Sequence, residues 1–324
     1  MALLDDIQHS IAPELQRLNE CMSDTLSTSN SMMNDIVANY LKTKGKQIRP
    51  IMVLLSAKLF QPINDNTVAA AAAIEMLHNA SLIHDDVVDD TMTRRNRPTV
   101  NAIWDNHVAV LVGDFFVSSS LFVAQTTGDI RIIRTMAELG RMLSLGEIDQ
   151  INNARFHDID EQSYINIIGQ KTASLFEACV MLGGYSVKAS DESIEVLRRF
   201  AHLLGLCFQI KDDIFDYFED ANIGKPTGND LREGKVTLPL IYALSRTDLP
   251  EREAMSLLVK KDELEEEEIS RLIEFAKSSG GIDYAYGMMK RYHDEAVTLL
   301  DCFGNEDVKR SLIDIFDYII TRKY

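Results

Sequence analysis

Apolar positions recur at helical spacing through most of this chain. From Ala69 to Leu82 an alanine-rich run carries Ile74, Met76 and Leu77 and predicts a strong helix leading into Asp85. From Ser193 to Phe218, residues Ile194, Leu197, Phe200, Ala201, Leu204, Phe208 and Ile210 lay out a wide apolar face. Leu238 to Ser245 and Leu312 to Ile320 read the same way, and strand-like alternation is nowhere sustained. Only 16 glycines and 7 prolines punctuate the sequence, so the elements are long and the turns few. The acidic run Glu263 to Glu268 reads as a solvated helix start, where carboxylates meet the positive end of the dipole. The richest loop, Asn222 to Lys235 with Gly224, Pro226, Gly228 and Gly234, lies between two apolar helices and is an internal loop. No linker divides the chain, which is expected to form a single domain over 1–324.

Composition narrows the function classes. The 324 residues are 46% hydrophobic, enough for a large core and against disorder. With 33 basic and 50 acidic residues the formal charge is −17, which argues against a nucleic-acid partner and makes an anionic substrate awkward. Apolar stretches such as Val108 to Val112 fall short of the ~20 residues of a membrane helix, so no stable membrane anchor is expected. The N-terminus lacks the basic and apolar regions of a secretion signal. Cys21, Cys179, Cys207 and Cys302 are scattered, which suggests reduced thiols in a cytoplasmic protein.

The chemistry concentrates in a recurring motif. Asp-Asp-x-x-Asp occurs at Asp85, Asp86 and Asp89, and again at Asp212, Asp213 and Asp216. On a helix, the second aspartate lies about 100° and the third about 40° from the first, so the carboxylates share a face. Their repulsion is relieved by a divalent cation, and oxygen-only donors suit Mg²⁺, which takes one or two carboxylates plus substrate phosphates. A single copy would read as a solvated helix end; two copies, each after an apolar helix, favour metal. The glycine and terminal Glu of a calcium loop are absent. Cations accompany the clusters: Lys46 and Arg49 within Gly45 to Pro50, on one face if Lys46 starts a helix; Arg94 and Arg95; Lys171 beside Thr172; Lys225 and Lys235. Together with the two metal clusters they look like an anion site.

These residues resemble the trans-isoprenyl (polyprenyl) diphosphate synthases over nearly the whole chain. The carriers are GKQIRP at 45–50, EMLHNASLIHDDVVDDTMTRRNRPTVN at 75–101, GD at 113–114, QKTASLF at 170–176, FQIKDDIFDY at 208–217 and GKPTGNDLREGKVTLPL at 224–240. The resemblance implies an all-α fold, a single bundle of about ten or more helices around a deep central cavity, and a homodimer. It implies that Asp85, Asp86, Asp89, Asp212, Asp213 and Asp216 coordinate Mg²⁺, three ions per loaded site, bridging to an allylic diphosphate. Arg94, Lys171, Thr172, Gln209, Lys225 and Lys235 match the residues that hold that diphosphate, with Lys171 and the aspartates catalytic. Lys46, Arg49, His78 and Arg95 match the site for isopentenyl diphosphate. The implied reaction ionises the allylic C–O bond, adds isopentenyl diphosphate to the cation, and loses a C2 proton to the released pyrophosphate.

Product length follows from the cavity wall. In the family this chain resembles, bulky aromatics five and four residues before the first aspartate motif block the growing chain; Ala80 and Ser81 stand there and are small. The expectation is a long-chain product, with Phe122 as the cavity floor; a short-chain synthase and a non-catalytic subunit of a two-component synthase are the alternatives. A terpene cyclase would carry a different second metal motif. A metal phosphohydrolase of the His-Asp type, built on His84 and Asp85, would need further spaced histidines.

Overall fold

The computed structural model describes residues 2–42, 45–94, 97–156, 160–218, 227–261 and 263–322. In chain order the helices are α1 (Ala2–Ser10), α2 (Ala12–Leu26), α3 (Ser31–Leu41), α4 (Ile48–Phe60), α5 (Asp65–Val88), α6 (Val100–Ile103), α7 (Asn106–Thr126), α8 (Ile130–Phe156), α9 (Glu161–Ile168), α10 (Ser174–Ser186), α11 (Asp191–Phe215), α12 (Asn229–Arg232), α13 (Leu238–Ser245), α14 (Arg252–Leu258), α15 (Glu266–Ser278), α16 (Gly281–Leu299) and α17 (Glu306–Thr321). A π-helical turn spans Gly169–Ala173. The fold is all-α, as expected. Among the described residues the only strands are β1 (Thr93–Arg94) and β2 (Arg97–Pro98), an antiparallel pair too short to show as alternation in the sequence. The chain packs into two compact units: Met1–Gly140, Phe176–Arg198 and Phe303–Ile315 form the first, and Arg141–Leu175, Arg199–Cys302 and Phe316–Tyr324 the second.

The first unit is built on α5, whose length exceeds the alanine run at both ends. Asn64 caps it: its side chain accepts from the Thr67 amide at 3.0 Å, and the Thr67 hydroxyl accepts from the Asn64 amide. Ala70 to Ala73 are fully buried, and their small side chains let α2, α4 and α7 pack closely around α5. Ile74 and Met76 are also fully buried, each contributing about 1.5–3 kcal/mol. At the C-terminus the Asp89 amide closes the last turn on the Asp85 carbonyl at 2.8 Å. Asp90 then takes a left-handed backbone, φ 48°, and turns the chain toward the β1–β2 hairpin. Gly113 lets α7 pass under α5, because a Cβ there would sit 2.2 Å from the His84 imidazole.

Helix α7 corrects one expectation. By length and composition it could cross a bilayer. Asp114 interrupts the apolar run in sequence, which conceals the helix's full 21 residues. Its inner face, including Ala109, Val112, Phe116 and Val123, is buried and packs against α5, the role of a core helix.

The second unit gathers α9, α14, α15 and α16 around α13. Leu240, Ala243, Met255, Ile269, Leu272 and Ala276 form its apolar centre, and Tyr217 and Leu231 join it from the loop side. Gly228 holds φ 77°, and its amide donates to the Asp216 carbonyl at 2.9 Å. A larger residue would be strained there and would also meet Ile269. Glu265 and Glu268 form a capping box at α15, so the acidic run is a helix start as read.

Candidate active site

The first aspartate cluster ends α5. Asp86 is 3% exposed, and its carboxylate accepts from the Arg94 Nε at 2.8 Å. The hairpin sets that guanidinium in place. Asn101 fastens the turn beneath it, its amide donating to the carbonyls of Asp86 and Thr91, both at 3.2 Å. Asp85 is half-buried on the helix, and Asp89 is exposed one residue beyond it. The three aspartates are therefore unequal: the middle one is tethered by the protein and the third has left the helix.

The second cluster repeats this arrangement with more partners. Asp213 is 6% exposed, and both its oxygens are occupied. Tyr164 donates to one at 2.6 Å and the Gln209 amide to the other at 2.8 Å. The Thr172 hydroxyl, from the π-helical turn, donates to the Gln209 side-chain oxygen at 2.7 Å. Burial nevertheless raises the Asp213 carboxyl to about 6, against the lowering effect of those two donors and helped by Asp212 and Asp216. Asp216 lies past the end of α11, where its oxygens accept the amides of Asn229 and Asp230 at 3.0 and 3.1 Å and cap α12. Burial pushes Asp216 up too. Asp230 is held well above the usual carboxylate range by burial and by its charged neighbours Asp213 and Asp216. Asp212 accepts from Arg322 at 2.6 Å.

The expected cations are distributed unevenly. Lys46 precedes α4 instead of starting it, because Gln47 takes a left-handed backbone at φ 51°. Lys46 and Arg49 therefore do not share a helical face. Arg49 lies in the first turn of α4 with its guanidinium 5.4 Å from the Phe176 ring centre. His78 is buried on α5. Lys171 pairs with Glu147 and donates to Gln150 at 3.1 Å, and Lys235 pairs with Glu233. Arg95 and Lys225 lie outside the described residues.

Ala80 is fully buried, and Ser81 is half-buried with its hydroxyl turned back to the His78 carbonyl at 2.9 Å. Phe122 is 67% exposed and does not floor an interior cavity of the chain. The helical period explains this correction: Phe116, Val123 and Ala124 take the inner face of α7, and Phe122 falls on the outer one. His84 packs on α7, 3.2 Å from the Val110 carbonyl, so it is taken up by packing.

Sequence reasoning missed Tyr164, Asp230 and Glu147 as partners of the site. Asp230 had a signal in the glycine-rich GND stretch; Tyr164 and Glu147 had none. Among the described residues no three His, Cys, Asp or Glu side chains close a metal site by themselves.

The chain is all-helical and presents two aspartate clusters, each following a largely apolar helix and each organised by protein donors, the combination expected of the family that the sequence resembles. Comparison with known proteins agrees. A family model described as "Polyprenyl synthetase" matches residues 30–276, and the chain belongs to that family. It is 33% identical over 315 residues to heptaprenyl diphosphate synthase component 2 of Geobacillus stearothermophilus, covering 97% of both chains. The structure of a decaprenyl diphosphate synthase from Rhodobacter capsulatus superposes with a TM-score of 0.91 at 30% identity, covering 98% of both chains. A geranylgeranyl pyrophosphate synthase from Bacteroides thetaiotaomicron gives 0.85 at 37% identity, covering 99% of this chain and 100% of that one. The protein is thus a prenyltransferase by family.

Proposed function

We propose that the chain condenses isopentenyl diphosphate head-to-tail with an allylic diphosphate such as farnesyl or geranylgeranyl diphosphate. Pyrophosphate leaves, and a long-chain all-trans polyprenyl diphosphate forms. The observation that carries this reading is the pair of separately organised aspartate clusters, in a family whose named relatives make prenyl diphosphates.

The donor set fits Mg²⁺. It consists of hard carboxylate oxygens, among the described residues too few in one place to enclose an ion, and water and substrate phosphates would complete the shell. Asp85 and Asp89 would hold it at the first cluster and Asp212 and Asp216 at the second, while Asp86 and Asp213 brace their neighbours. We infer three ions per loaded site from the family resemblance. Bound Mg²⁺ would neutralise charge on the departing diphosphate.

The chain's own residues do the rest. Arg94, Lys171, Thr172, Gln209 and Lys235 offer donors to the allylic diphosphate, and Lys171 leaves Glu147 to do so. Lys46, Arg49 and His78 offer donors to isopentenyl diphosphate. Preorganised cations of this kind stabilise the charge that develops as the C–O bond breaks. The double bond of isopentenyl diphosphate attacks the allylic cation, and the C2 proton passes to pyrophosphate, so no side-chain base is required. Incubation with Mg²⁺, labelled isopentenyl diphosphate and farnesyl diphosphate, followed by chromatography of the lipids, should show elongated prenyl diphosphates. Hydrocarbon or free phosphate alone would sink the proposal.

The long-chain reading rests on Ala80 and Ser81, which leave the wall of α5 low. Ser81→Phe should shorten the product on a reversed-phase column; an unchanged profile removes the wall role. A geranylgeranyl-length product is the second reading, favoured by the identity with the Bacteroides enzyme. We further propose a homodimer through the outer face of α7, where Leu111 and Phe122 are 64% and 67% exposed. A monomeric mass by light scattering would overturn it.

A further inference from the structure

We propose that Arg322 is an internal counter-cation for the second aspartate cluster, occupying Asp212 until a divalent metal displaces it. The proposal rests on the metal reading of that cluster given above.

Arg322 follows directly on α17, and its amide closes the last turn on the Tyr318 carbonyl at 2.9 Å. Its side chain is 11% exposed. The Nη2 nitrogen donates to the Asp212 carboxylate at 2.6 Å and to the Phe208 carbonyl at 3.0 Å. The guanidinium carbon stands 4.3 Å from the Phe208 ring centre and 5.5 Å from that of Phe215. Arg322 therefore lies over residues four before and three after Asp212, on the helix that carries it. Phe215 also borders Lys211, whose Nζ is 5.1 Å from its ring centre and donates to the Tyr286 hydroxyl at 3.0 Å.

The form of this contact marks it as exchangeable. Both hydrogen bonds use one nitrogen, and Nε is buried with no hydrogen-bond partner. A guanidinium committed to a structural pair would present its planar fork and bind both carboxylate oxygens. Asp213 shows what structural commitment looks like in the same cluster, with its carboxylate held by side-chain donors from α9 and α11. Asp212 differs in being half-buried and in having a cation beside it. Metal and guanidinium compete for one carboxylate, so the affinity measured for metal is the intrinsic affinity reduced by the strength of the ion pair. The arginine holds the second cluster's charge in check without metal and sets a threshold for loading.

Metal titration of the full-length, substrate-free protein tests this, with Mn²⁺ as the probe, free ion read by electron paramagnetic resonance and heat by calorimetry. Arg322→Ala should bind Mn²⁺ at the second cluster roughly tenfold more tightly than wild type, as expected for loss of one partly buried charge-assisted contact. Arg322→Lys keeps the charge but loses the stacking and should fall between the two. Asp212→Asn should lose this site in either background. Equal or weaker Mn²⁺ binding in both Arg322 variants, with thermal melting showing them folded, overturns the counter-cation role and leaves the metal reading intact. No Mn²⁺ site sensitive to Asp212→Asn overturns the metal reading and this proposal with it.

Discussion

The two aspartate motifs have the same spelling and different physical surroundings. At the first, one hairpin supplies the organising charge: Arg94 reaches Asp86 from eight residues away. At the second, Gln209 on α11 itself is joined by partners from distant parts of the chain, Tyr164 on α9 and Arg322 after α17. The first cluster opens outward, with Asp89 exposed. The second is sunk far enough that burial raises Asp213 and Asp216. Local sequence can therefore order an aspartate cluster when a cation is near in the chain. A buried cluster has to be assembled by tertiary structure, and it carries a standing desolvation cost.

If the clusters are equivalent in chemistry despite these surroundings, removing the leading aspartate of either should be equally severe. Asp85→Ala and Asp212→Ala should each lower turnover by about a thousandfold or more, the scale of losing a principal electrostatic element of catalysis. Circular dichroism should show both variants folded. A variant with near-wild-type turnover would break the symmetry and leave one cluster structural.

The clusters also differ in how much of them the sequence discloses. The motif spacing, the apolar helices leading to it and the Arg94 neighbour are all short-range signals, and α5 and α13 lie where the periodicity placed them. The pattern could not separate Asp86 and Asp213 from their neighbours, because their burial depends on what packs over them. Tyr164 reads as an ordinary helix residue until the fold brings its hydroxyl to Asp213, and Lys46 reads as helical until Gln47 turns the backbone. Phe122 was misplaced for a similar reason: periodicity defines a helical face, but not which face another element covers.

The second cluster's desolvation makes it the pH-sensitive one. In the metal-free protein burial pushes the Asp213 carboxyl up to about 6, above its ordinary value of 3.8. The folded state thus binds this proton more readily than the unfolded state. The associated stability is fully present below about pH 4 and is lost as pH rises through 6. Asp213→Asn removes the titrating group while keeping a polar side chain between Tyr164 and Gln209. The variant should melt with a flatter pH dependence from 4 to 7, gaining on wild type by a few degrees at the upper end. It should also need more Mg²⁺ for activity. The matching Asp86→Asn variant should show no such gain, because Arg94 neutralises the carboxylate it replaces. Parallel pH profiles for the two variants would erase the distinction between the clusters.

The smallest effect probes the distant tether directly. Tyr164→Phe deletes one hydroxyl and leaves the aromatic ring in the core of the second unit. Asp213 keeps Gln209 on its other oxygen, so the cluster is loosened and not lost. A hydrogen bond to a carboxylate is worth about 1.5–3 kcal/mol, and part of that loss falls on general stability. The share reaching the site should appear as a roughly three- to tenfold rise in the Mg²⁺ concentration for half-maximal rate, with kcat at saturating metal changed less than twofold. The tyrosine donor also lowers the Asp213 pKa, so its removal raises that pKa and should move the acid limb of the rate profile to higher pH. A drop in melting temperature with the Mg²⁺ dependence and acid limb both unmoved would reduce Tyr164 to a packing residue. The second cluster would then be organised by α11 and its nearest loop, much as the first is organised by its hairpin.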